Sequence, residues 1–296
     1  IITNFKKNMN NKRINIIFII LIYLFIYLIF KENTSLSNIT FLSFKMYILK
    51  VFPFLFIMMI LNNLLLKCNF PYYFNKIFKS DKLYIFINSI LSGSPINAIL
   101  IKNYLDNNCI NEDNASKLLC FTSFNNPLFL YNYLMLILNN INNVIKIMGV
   151  IYFTNIVIFF YYKNKIKINT LVKYQNYNLK KELFNIISES TFNMIKIMGI
   201  IIFFKIILDL VMTKNNVLIS LLKGLVEVTS GLNTLIIVNT KDIIKEIISY
   251  TIISFMGFSI HMQISTILEN YNINYKYFYL SRLFLIILGI IIILIL

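Results

Sequence analysis

The stretch LSGSPINAIL, Leu91 to Leu100, decides how this chain is read. Gly93 and Pro95 make a helix hard to continue, and Ser92, Ser94 and Asn97 add polar groups that need partners. Yet the stretch lies among runs of Ile, Leu and Phe. The same interruption returns in FTSFNNPLFL (Phe121 to Leu130), EVTSGLN (Glu227 to Asn233) and MGFSIHMQ (Met256 to Gln263).

The surroundings are those of a membrane protein. Of 296 residues, 58% are hydrophobic and only 14% charged, against about 25% charged in an average soluble domain. The apolar runs at 14–30, 47–66, 144–162, 194–211 and 278–296 each approach the length that crosses roughly 30 Å of hydrocarbon. The first follows Lys6, Lys7, Lys12 and Arg13 but is longer than a signal-peptide core and lacks a small-residue cleavage site, so a retained span is expected. The chain begins at Ile1 and not at Met, which leaves its natural start open.

The net charge of +16 does not point to nucleic acid, because the basic residues sit between the apolar runs and form no single stripe. They mark topology. Short loops rich in Lys and Arg face the cytoplasm, which places the N-terminus, the segment Lys67 to Lys82 and the linker Lys163 to Lys181 inside. Uncharged NNINN, Asn139 to Asn143, goes outside. If Lys82 is inside and a span of about Leu118 to Leu138 ends outside, everything from Leu83 to Lys117 must return to the inside. The expectation is therefore a re-entrant hairpin with its tip at Ser92-Gly93-Ser94-Pro95. A short surface helix should follow, capped near Asn111 with Glu112 and Asp113 in its first turn. Residues 1–82 read as N-terminal transmembrane helices. Residues 83–296 read as a transmembrane domain in two halves, 83–162 and 182–296, joined by the basic linker 163–181.

Non-helical backbone at membrane depth is tolerated only where protein or a water-lined cavity satisfies it, so the interruptions should face a site. Ser92 to Asn97 is followed by Ser123 to Pro127 about thirty positions on, and Glu227 to Asn233 by Gly257 to Gln263. Paired breaks in two halves are the sequence pattern of an inverted-repeat transporter. The candidate solute-binding residues are Ser92, Gly93, Ser94, Pro95 and Asn97; Asn125, Asn126 and Pro127; Glu227, Thr229, Ser230, Gly231 and Asn233; and Gly257, Ser259, His261 and Gln263. Asn125 to Pro127 reads either as an unwound binding segment or as a helix kink bonded to a neighbouring helix. Glu227 reads either as a proton-carrying or charge-sensing carboxylate or as the partner of Lys223 one turn earlier. His261, the only histidine, reads either as a structural hydrogen-bonding group or as a site residue. Asp209 and Lys205 read as an internal pair outside the site. A carboxylated solute could be held by N–H groups at half-helix N-termini.

These words, in order, resemble the sporulation integral membrane proteins of the nucleoside-recognition (Gate) domain family, a group that includes the transporter of dipicolinic acid into the developing spore. The resemblance covers roughly Leu91 to Leu268. Ser92, Gly93 and Pro95 fit the first motif, with Asn97 in place of the glycine before Ala98. Asn125, Asn126, Pro127 and Phe129 fit the second, with Pro127 where the family often has glycine then proline. Glu227, Thr229 and Gly231 fit the third, and Gly257, Ser259, His261 and Gln263 the fourth. The resemblance implies an all-α polytopic membrane protein, an inverted-repeat bundle with re-entrant hairpins and broken helices like the core of concentrative nucleoside transporters. It also implies a location in a bacterial cell membrane, at the forespore.

The expected function is transport of a small anionic or polar aromatic solute, dipicolinate first. The alternatives are a nucleoside-type permease or a non-transporting membrane scaffold needed for sporulation. An enzyme is not expected, since phosphotransfer would want clustered carboxylates for Mg²⁺ and only 12 Asp and Glu are present. Cys68, Cys109 and Cys120 show no metal-ligand or disulfide spacing, so neither metal nor cofactor is expected. The expected partners are the bilayer and a small solute, with self-association left open.

Overall fold

A computed structural model of the chain describes residues 33–169 and 179–296. The expected first span at 14–30 and much of the basic linker fall outside them. Every element among the described residues is helical. Among the described residues, four segments are long and apolar enough to cross a membrane: Ser37–Lys67, Ile141–Tyr162, Asp242–Ile267 and Tyr275–Ile295. The protein is a multi-pass, membrane-embedded helical bundle. Large apolar side chains such as Phe184, Leu280 and Ile295 face outward, whereas Ser89, Asn97, Ser123 and Ser259 are completely buried. That is the distribution expected where lipid surrounds the protein and polar groups find partners only inside.

Helix α1 (Asn33–Met46) runs through a π-helical turn, Tyr47–Val51, into α2 (Phe52–Lys67). Pro53 near the start of α2 explains the turn: it lacks an N–H and its ring crowds the carbonyl four residues back, so the ladder widens there. After the short α3 (Phe70–Phe78), helix α4 (Asp81–Ser92) turns at Gly93–Pro95 into α5 (Ile96–Asp106), and the two pack together. Gly93 permits the turn at φ +75°. A Cβ there would also stand 2.7 Å from the Asn126 amide nitrogen.

Asn111 caps the next helix, α6 (Glu112–Thr122), by accepting from Asn114 N at 2.8 Å. The cap and its acidic first turn match the expectation, but the helix is not a surface element. Its residues Asn114 to Ser116 and Leu118 to Thr122 are buried, because it is the first half of a broken segment that α7 (Pro127–Leu138) completes. Its polar residues are polar because they face other helices, not water. Helix α8 (Ile141–Tyr162) closes this half.

The second half repeats the order of parts. The 33-residue α9 (Leu179–Val211) contains the expected span 194–211. Helices α10 (Val217–Val226) and α11 (Val228–Ile237) fold against each other about Glu227, with Gly224 facing Gly231 and Ser220 Oγ donating to Gly231 O at 2.9 Å. Helix α12 (Asp242–Phe255) breaks at Met256 before α13 (Gly257–Ile267), and α14 (Tyr275–Ile295) follows.

The two helix pairs open toward opposite ends of α8, a helix of 22 residues and thus about 33 Å long. At its C-terminal end Lys82 Nζ donates to Lys163 O at 2.5 Å, and Asn114 Nδ2 donates to Lys167 O at 2.8 Å. Tyr271 donates to Asp106 at that same end, a bond that pushes its phenol up to about 12. At the other end Lys146, in the second turn of α8, pairs at 2.5 Å with Glu246, just after α11 has ended and α12 begun.

Candidate solute site

The four interruptions meet. Ser94 N donates to Phe124 O at 2.6 Å and Asn126 Nδ2 to Leu91 O at 3.2 Å, so the α4–α5 turn is tied to the α6–α7 break. Behind that contact Ser94 Oγ donates to Asn97 Oδ1 at 2.8 Å, and Asn97 Nδ2 donates to Thr122 and Ser123 hydroxyls, both at 3.3 Å. Asn125 Nδ2 crosses to the second half and donates to Ile253 O at 3.1 Å, in the last turn of α12. There Met256 and Gly257 both take left-handed backbone, at φ 72° and 59°. A non-glycine residue in that region is uncommon and marks a held, strained turn. Gly257 packs on the carbonyls of Gly224 and Val226 just before Glu227, which closes the circuit.

Between these segments lies a cavity. Its wall takes Ser94 and Pro95 from the first break, Asn125 and Asn126 from the second, Glu227 and Thr229 from the third, and Ser259 and Gln263 from the fourth. Phe54, Phe129 and Ile201 supply apolar surface, and Lys50, from the π-helical turn, supplies a cation. Two donors in this wall, Ser259 Oγ and Gln263 Nε2, are buried without a hydrogen-bond partner, and Ser230 Oγ is buried in the same way near Thr229. Buried polar atoms are normally paired, so the wall offers hydrogen bonds that a bound solute could accept.

The other candidates sit behind the wall. Ser92 Oγ turns back to Asn88 O, Gly93 lies against the Asn126 backbone, and Pro127 starts α7. Gly231 and Gly257 allow close helix contact, and Asn233 points toward Tyr133. His261 Nε2 donates to Phe255 O at 2.8 Å, and the ring is boxed by Phe255, Phe258, Phe278 and Tyr279. It satisfies a carbonyl at the α12–α13 break.

The charges do not form the Glu227–Lys223 pair. Glu227 is 2% exposed and caps α11: its carboxylate accepts from Thr229 N at 3.1 Å, Thr229 Oγ1 at 2.6 Å and Ser230 N at 2.7 Å. Lys223 is not its ion-pair partner, for its Nζ stands 3.8 Å from Asp209 instead. Lys205, the expected partner of Asp209, also acts on that carboxylate, so Asp209 sits among two lysines. The backbone continues past Glu227 into a fresh helix, so its side chain turns forward to the new N–H groups and away from the helix it ends. Likewise Asn126 Oδ1 accepts from Leu128 N and Phe129 N. The N-termini of α7 and α11 are therefore filled by the protein's own side chains and do not hold a solute carboxylate.

Lys50 and Arg282 were missed in the sequence, and a signal existed for both. Each is a cation inside an apolar run, at Tyr47 to Leu66 and Phe278 to Leu296, and an intramembrane charge calls for an explanation by default. Among the described residues no group of three or more His, Cys, Asp or Glu gathers to hold a metal. No protein-family model, curated protein or solved structure matches this chain.

Proposed function

We propose that the protein is a membrane transporter that carries a small anionic or polar aromatic solute through the cavity where the four breaks meet. Dipicolinate is the first candidate, implied by the resemblance of the break motifs to Gate-domain sporulation proteins. The observation that carries the reading is that one cavity draws polar side chains from four separate helix interruptions. Irregular backbone inside a membrane needs a partner for its freed groups, and gathering four such segments around a void is costly unless the void is used.

In this reading α4–α5 and α10–α11 are re-entrant hairpins entering from opposite faces, and 83–162 and 182–296 are inverted repeats joined by the cytoplasmic linker. The opposite directions in which the hairpins open along α8 support it. Lys50 and the donors Ser259 and Gln263 favour a solute with carboxylate or carbonyl oxygens, while Phe54 and Phe129 suit a flat ring. The host membrane is a bacterial one, at the forespore, with the N-terminus in the cytoplasm.

Purified protein in proteoliposomes should take up labelled pyridine-2,6-dicarboxylate above protein-free vesicles. Gln263→Ala and Asn125→Ala should each slow uptake about tenfold or more while eluting as folded protein, the size of effect expected from losing one buried hydrogen-bonding group. Uptake equal to empty vesicles, across that solute and a panel of nucleosides, would leave the scaffold reading in place.

A further inference from the structure

We infer that Arg282 makes this cavity prefer anions, acting from behind its wall. The inference rests on the transport reading and adds a specificity-determining residue to it. Arg282 lies within α14, the most apolar of the four candidate spans, and is 1% exposed. Its guanidinium donates to Cys120 O at 2.5 Å and Ser123 O at 3.0 Å, approaches Met256 Sδ at 3.6 Å and lies over the Phe278 ring at 5.2 Å. Among the described residues no carboxylate forms an ion pair with it.

Two facts separate this arrangement from a simple staple. First, the carbonyls it binds end α6, and a helix C-terminus offers only about half a unit of negative charge. About half a positive charge is left unmatched in a medium that screens poorly. Neutral amides could have held the carbonyls, as Asn125 holds Ile253 O across the same pair of breaks, so the hydrogen bonds alone do not call for an arginine. Second, Arg282 joins two of the four breaks that build the site. Ser123 comes two and three residues before the wall residues Asn125 and Asn126, and Met256 three before Ser259, so the cation is bonded to the two breaks that supply those side chains. Glu227, the wall's own carboxylate, is committed to capping α11. A solute carboxylate would supply the missing counter-charge, and a neutral solute would not.

The test is the concentration dependence of pyridine-2,6-dicarboxylate uptake into proteoliposomes. Arg282→Gln should raise KM about tenfold or more with the maximal rate little changed, and Arg282→Lys, which keeps the charge, should stay near wild type. Met256→Glu gives the guanidinium a carboxylate while leaving Arg282 and its two carbonyls in place, and it should raise KM as Arg282→Gln does. If Arg282→Gln does not fold, the Met256→Glu measurement decides alone. A KM unchanged in Met256→Glu, or a loss in Arg282→Gln confined to the amount of folded protein and the maximal rate, overturns the inference and leaves Arg282 a staple of the two breaks. Silence of the wild type itself would instead remove the transport reading, and this inference with it.

Discussion

At the scale of the residue, Glu227 shows how one side chain can serve the chain's own backbone in a place where a ligand was expected. It ends α10 and begins α11, and its three accepted hydrogen bonds satisfy donors that the hairpin tip would otherwise bury unpaired. Glu227→Ala should therefore lower stability by about 0.5–2 kcal/mol, the usual range for a lost N-cap, seen as a fall in the thermal midpoint in detergent. Glu227→Gln keeps an oxygen acceptor for the two N–H groups and should lose less. Equal losses in the two variants would show that the charge, not the cap, is what matters there. Changing Lys223 to Met should not rescue either variant, since Lys223 stands beside Asp209.

At the scale of the element, the α10–α11 pair depends on two glycines meeting face to face. A Cβ on Gly231 would run into the Gly224 backbone and come within 2.8 Å of Ser220 O. Backbone cannot yield as the far end of a side chain can, so the helices would have to part. Small residues let membrane helices approach closely where no hydrophobic force drives them together. Gly231→Ala should splay the pair and tilt Thr229 and Ser230 away from the Glu227 carboxylate. Overpacking typically costs about 1–3 kcal/mol, measurable as a lower thermal midpoint. Gly199→Ala, with open space around its Cβ position in α9, should be neutral or slightly stabilising in the same assay.

At the scale of the whole molecule, the proposed arrangement is two re-entrant hairpins entering one bundle from opposite ends, and the structure gathers their tips and two broken helices around a shared void. Single cysteines at Lys102 and Asn216, in a background with the native three replaced, should be modified by an impermeant thiol reagent from opposite sides of sealed vesicles. Lys82 should label from the same side as Lys102. Labelling of Lys102 and Asn216 from one side only would break the inverted arrangement, whatever the solute proves to be.

Much of this was legible in the residues. The apolar runs and Lys placement required several membrane crossings, since charge and hydrocarbon do not mix. Gly93, Pro95, Pro127 and Gly257 marked where helices must stop, because chain stereochemistry is local. Asn111 and its acidic neighbours marked a helix start for the same reason. What lay beyond the sequence was direction. A polar helix such as Glu112–Thr122 has the composition of a surface element and of an interior one alike, and only packing against α8 and α14 makes it interior. Glu227 could equally turn back to Lys223 or forward to Thr229, two choices within one helical turn that differ only in which donors tertiary contact leaves unpaired. Arg282 and Lys50 lie far in sequence from the motifs they serve. Which carbonyls surround a buried cation, and which cavity it faces, is set by how separate helices cross, and that is decided only when the bundle closes.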